Sequence, residues 1–150
     1  MTPVAWYLVV PGPVVDRWVT AGIWPAVVRS ELTMWGDRPS FVREALFGGV
    51  GAVTVTDLLA GADAPPFAAA LGCALDPGGA VGRHRQQEHP ELVIGVDGDG
   101  EAEVDGVVRP LGPGDLVFLP LGSVLAIRNR SATAPLRYLI VKATAVTPPR

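Results

Sequence analysis

Residues 78–98 hold most of the side chains able to do chemistry in this chain. The segment reads Gly-Gly-Ala-Val-Gly-Arg-His-Arg-Gln-Gln-Glu-His-Pro-Glu-Leu-Val-Ile-Gly-Val-Asp-Gly. It contains both histidines, His84 and His89, both glutamines, Gln86 and Gln87, and the acids Glu88 and Glu91. Imidazole and carboxylate groups this close together offer proton transfer near neutral pH. An apolar stretch, Leu92 to Val96, follows at once, so the polar cluster feeds directly into a strand-like scaffold.

The composition limits what can surround that cluster. The chain has 150 residues, 49% hydrophobic and 18% charged, enough for one domain with a sizeable core. A net charge of −3 without a basic run argues against nucleic acid as a partner. The single cysteine, Cys73, excludes an internal disulfide and a cysteine-based metal site, and its apolar setting marks it as packed rather than reactive. The N-terminus lacks the features of a signal peptide and no apolar run is long enough to span a membrane, so the expectation is a cytoplasmic protein with no membrane partner. Eleven of the twelve basic residues are arginine, a compositional trait of GC-rich bacterial genomes.

Eighteen glycines and fifteen prolines punctuate short apolar runs, the texture of an all-β chain with many turns. Residues 1–46 differ, carrying all four tryptophans. There Tyr7 to Val10 reads as an edge strand, Val14 to Ile23 as a short helix after Pro13, and Ser40 to Leu46 as a second helix capped by Ser40, with Arg43 and Glu44 outward. This apolar extension would cap a barrel or form a subunit interface, leaving residues 47–150 as the barrel. Strands are expected over Ala52 to Leu58, Phe67 to Leu75, Ala80 to Gln86, Leu116 to Leu119, Val124 to Asn129 and Arg137 to Ala143. Glu91 to Asp97 and Glu101 to Asp105 read as a hairpin across Asp97-Gly98-Asp99-Gly100. In its first arm both faces are apolar, so that strand is expected to be covered on both sides. The acidic face of the second arm, Glu101, Glu103 and Asp105, reads as solvated. Alternation puts His84 and Gln86 on one strand face with Arg83 and Arg85 on the other.

Two spaced motifs in this framework resemble those of the cupin family, small jelly-roll barrels of two antiparallel sheets. The family's first motif is matched by Gly78, His84, Glu91 and Gly98, with Gln86 standing where a second histidine is usual. The second motif is matched by Gly114, Pro120, Gly122 and Asn129, with Leu125 in place of its histidine. The resemblance covers residues 48–143 and implies the fold: an all-β double-stranded β-helix following an N-terminal extension with short helices. In the family, three histidines and one glutamate bind a divalent metal. Only His84 and Glu91 remain here, with Gln86 and His89 as the further donors of a metal-bound alternative. The expected cofactor is therefore none, and the alternative is one divalent transition metal.

Three functions follow as expectations. The first is a metal-independent enzyme using His84 and Glu91 as acid and base on a small, largely apolar metabolite, bound by Gln86, Val93, Leu125 and Ile127. Its reaction would be a non-redox isomerisation, cyclisation or elimination. The second is a barrel that binds or senses a metabolite without chemistry. The third, a metal-dependent dioxygenase, is disfavoured by the two replaced ligands. Cupin resemblance also implies a homodimer.

Overall fold

The computed structural model describes residues 35–144. The expected strand Tyr7 to Val10 and helix Val14 to Ile23 lie outside them. The chain divides into two compact units with the boundary between Gly36 and Asp37, and all the described strands belong to the second.

That unit is a sandwich of two antiparallel sheets. The larger has six strands in the order β1-β2-β3-β10-β5-β8. These are β1 (Ser40–Glu44), β2 (Ala52–Asp57), β3 (Phe67–Leu75), β5 (Glu91–Asp97), β8 (Leu116–Leu119) and β10 (Leu136–Ala143). The smaller sheet runs β4-β9-β6-β7, formed by β4 (Ala80–Arg85), β6 (Gly100–Val104), β7 (Val107–Leu111) and β9 (Val124–Asn129). Alternation turns Val53 and Val55, Cys73 and Leu75, Leu125 and Ile127, and Leu136 and Tyr138 inward, and these form the core. The all-β jelly-roll expectation therefore stands.

Three local expectations do not. Ser40 to Leu46 is not a helix: Ser40–Glu44 pairs antiparallel with β2, Ser40 opposite Thr56, and a short 3-10 turn follows at Leu46–Gly48. An available sheet edge outweighs a weak capping signal. Nor do β5 and β6 form a hairpin. β5 is bonded on one side to β10 and on the other to β8, so it has no free edge for β6. The chain turns a corner at Gly98 (φ 102°), where a Cβ would stand 2.6 Å from the Pro135 carbonyl oxygen, and β6 pairs with β7 and β9 in the other sheet. Finally, β8, whose four consecutive apolar residues read in the sequence as a buried strand, is an edge strand with only Val117 and Leu119 buried, while Leu116 and Phe118 are exposed.

The outer face of the larger sheet carries two uncharged rows. Ala70, Val141, Leu92 and Phe118 lie side by side across four strands, and Gly72, Leu139, Ile94 and Leu116 form the next row. On the smaller sheet the acidic residues of β6 are not merely solvated: Glu103 pairs with Arg83 at 2.6 Å, and Glu101 with Arg128.

Candidate functional site

The motif glycines hold the turns around the site. Gly78, Gly98, Gly114 and Gly122 all have positive φ, the region that glycine enters at least cost. Asn129 of β9 bonds to the end of β3 and to the segment before β10. Its Nδ2 donates to the carbonyls of Leu75, Asp76 and Ala134, and its Oδ1 accepts from the Ser131 amide.

His84 is aimed by an irregularity. β4 pairs Val81 with Ile127 but His84 with Leu125, a one-residue slip between them. Such a bulge re-aims side chains, and Val81 and His84, three residues apart, both line one cavity of about 330 Å3 between the sheets. His84 Nδ1 donates to the carbonyl of Gly82 at 2.9 Å, since a carbonyl can only accept. Burial, the largest influence, lowers the imidazole pKa, so the ring is neutral at pH 7 and its Nε2 carries a lone pair. Phe47 stacks on the ring, centroids 4.0 Å apart and planes at 13°.

That stack depends on Gly82. A Cβ there would lie 2.0 Å from the Phe47 carbonyl oxygen, and Phe47 itself has φ 54°. The turn rests on β4 through reciprocal bonds between Val50 and Ala80. Gly82→Ala is expected to push the turn off β4, cost about 1–3 kcal/mol, and remove the upfield ring-current shift of the His84 protons in NMR. A variant that kept this shift would show that the turn accommodates the methyl group.

Glu91 enters from the first residue of β5. It is only 3% exposed, its Oε1 has no hydrogen-bond partner, and its Oε2 lies 3.7 Å from Lys142 Nζ. Burial raises the carboxyl pKa, and Lys142 pulls it part of the way back. The cation beside Glu91 is thus the Lys142 ammonium. Lys142 is the chain's only lysine. It lies in register with the inward-facing Tyr138 and Ile140 of β10, and that alternation was the signal that could have found it.

The remaining lining is largely apolar, with Leu125 and Ile127 from β9, Val53 and Val55 from β2, and Leu71 and Cys73 from β3. Burial pushes the Cys73 thiol up to about 12, so it is a packed thiol rather than a nucleophile. Phe41 and Arg43 line the cavity from β1, and both are exposed, which puts them at its rim. Arg43 was missed because its segment read as a helix with that residue outward. Gln86 and Val93 are buried but do not line the cavity. Gln86 is fixed through its backbone, its amide donating to the Ser123 carbonyl and its carbonyl accepting from Gly122. His89 lies outside the cavity, 4.0 Å from Glu88.

The donors present do not fit a divalent metal. Leu125 stands directly across from His84, Gln86 and His89 do not line the cavity, and an ammonium occupies one side of Glu91. Among the described residues, no three His, Cys, Asp or Glu side chains are grouped to hold an ion. No described helix is long and apolar enough to cross a membrane.

Comparison with known proteins agrees with this architecture. A family model described as a cupin domain matches residues 73–142. A predicted oxalate decarboxylase from Thermotoga maritima superposes with a TM-score of 0.65 at 22% identity, covering 73% of this chain and 95% of that one. A cupin 2 conserved barrel domain protein from Salinispora arenicola CNS-205 gives 0.52 at 29% identity, over 62% and 76%. A sugar phosphate isomerase from a cupin superfamily, from Silicibacter pomeroyi DSS-3, gives 0.54 at 27% identity, over 62% and 60%. A search of curated proteins found no match. Residues 73–142, which carry most of the double-sheet barrel, thus match the cupin domain.

Proposed function

We propose that the protein is a metal-independent enzyme moving a proton on a small, largely apolar organic molecule held in the barrel cavity. The observation that carries this reading is the pairing, in one apolar cavity, of a neutral imidazole with a free Nε2 and a buried carboxyl whose Oε1 lacks a partner. His84 Nε2 accepts a proton from an acidic carbon, and Glu91, held partly toward its neutral form by burial, returns one to a second position. No electrons leave the substrate, so the net reaction is an isomerisation; elimination or cyclisation would use the same two groups. Leu125 and Ile127 bind the apolar body. The Silicibacter pomeroyi protein is an isomerase by name, the same broad reaction class.

The test is deuterium wash-in from D2O, read by mass spectrometry, on a panel of ketones and keto acids small enough for the cavity. Wild-type protein should label carbons next to the carbonyl, and Glu91→Gln and His84→Gln should each lose the labelling. Chelator should leave the rate unchanged. Labelling that required added metal would defeat the metal-free reading. Binding without labelling would support the second reading, a non-catalytic metabolite-binding barrel, which draws on the ion pair that already engages one oxygen of Glu91.

A homodimer through the outer face of the larger sheet belongs to the same proposal, supported by its two uncharged rows. Light scattering should give twice the chain mass, and Phe118→Glu should give the monomer. A wild-type monomer at micromolar concentration would remove the dimer.

A further inference from the structure

The polar groups lining the cavity are unequal in charge. Arg43 and Lys142 bring two cations, Glu91 at most one negative charge, and His84 is neutral at pH 7. Lys142 is engaged by Glu91. Arg43 is not matched by any acid among the described residues, and its guanidinium lies 4.6 Å over the ring centroid of Phe41. Stacking of that kind orients the guanidinium plane while leaving its N–H donors available. Arg43 and Phe41 stand exposed at the rim, whereas the walls behind them, Val53, Val55, Leu125 and Ile127, are buried. The cavity is therefore cationic at its mouth and apolar inside, in a chain whose net charge is −3.

We propose that the cavity takes a small monoanionic organic acid, its carboxylate held at the rim by Arg43 and its apolar body between the sheets. A guanidinium presents parallel N–H groups that match a carboxylate's two oxygens. A single unmatched arginine balances one negative charge, which favours a monocarboxylate. The inference rests on the small-molecule reading given above and names its substrate class. An acid anchored at the rim leaves its carbon chain to reach His84 and Glu91.

Calorimetric titration of the full chain with 4-phenylbutyrate and its uncharged amide tests this. The acid should bind at least about tenfold more tightly than the amide, a difference of about 1.4 kcal/mol. Arg43→Gln should abolish that preference, weakening the acid far more than the amide. The substitution is on an exposed strand position and should not disturb folding. Arg109→Gln, which removes the same charge from the exposed face of β7, should keep the preference. Equal affinity of acid and amide would overturn the anion inference while leaving the small-molecule reading standing. Binding of neither would overturn both. A preference that survives Arg43→Gln would overturn the assignment to Arg43.

Discussion

Asn129→Ala is expected to lower the melting temperature by about 10–15 °C. The side chain is 2% exposed and makes four hydrogen bonds. Three go from Nδ2 to carbonyls at the end of β3 and before β10, at 3.2, 3.0 and 2.8 Å. The fourth is accepted from the Ser131 amide at 3.0 Å. Asn129 belongs to the smaller sheet, while β3 and β10 belong to the larger, so this one amide ties the two layers together. Alanine would leave several backbone groups without partners, each costing about 1–3 kcal/mol if water cannot reach it. With partial relief from water at the loop side, we expect a loss of about 3 kcal/mol. Asn129→Asp should not rescue, because it replaces the donating NH2 with an acceptor facing three acceptors. Thermal unfolding followed by circular dichroism checks both variants. An alanine variant melting within a few degrees of wild type would mean that water replaces the amide fully.

Lys142→Met is expected to destabilise the protein in a strongly pH-dependent way. Burial raises the pKa of Glu91 in the folded state, and Lys142 opposes the rise. A carboxyl whose folded pKa lies above its unfolded value contributes its full stability at pH below the unfolded value and loses it as pH rises through the folded one. Removing the ammonium raises the folded pKa further, so the loss deepens and extends to higher pH. Wild type and variant should therefore differ least at pH 4 and most at pH 8, where a deficit of about 2 kcal/mol is expected. That figure sits below the range for breaking a fully buried pair because the Lys142 side chain is 34% exposed. Adding Glu91→Gln to Lys142→Met should recover most of the deficit at pH 8 by removing the charge that has lost its partner. Urea unfolding at pH 4, 6 and 8 measures this. A deficit equal at all three values would assign the effect to lost packing of the lysine stem.

Legibility in the sequence followed the range of the interaction. β9 could be read because alternation is a property of neighbouring residues: Leu125, Ile127 and Asn129 are buried, Val124 and Ala126 less so, Arg128 exposed. β3, apolar throughout, was legible instead from its length and the Asp76-Pro77-Gly78-Gly79 stop that follows it. β8 was legible as a strand, but not as an edge strand. Four apolar residues in a row carry no alternation, and only the strand's place at the sheet edge exposes Leu116 and Phe118. β1 was missed because a short segment with a capping serine resembles a helix until the edge of β2 is there to receive it.

By itself the sequence determined the double-sheet barrel and the presence of His84, Glu91, Leu125 and Asn129 at the family's motif positions. Fixed intervals between turn glycines and inward residues are local information and survive without coordinates. The tertiary structure alone decided which groups meet. Placing β5 between β10 and β8 brings Lys142 of β10 to Glu91 of β5, residues far apart in sequence. The slip between Val81 and His84 turns both into the cavity while Gln86 is left out of its lining. Pairing of β1 with β2 places Arg43 at the cavity rim. Each of these depends on which strand edges pair and in what register, a choice made by long-range hydrogen bonding and burial rather than by any residue's own neighbours.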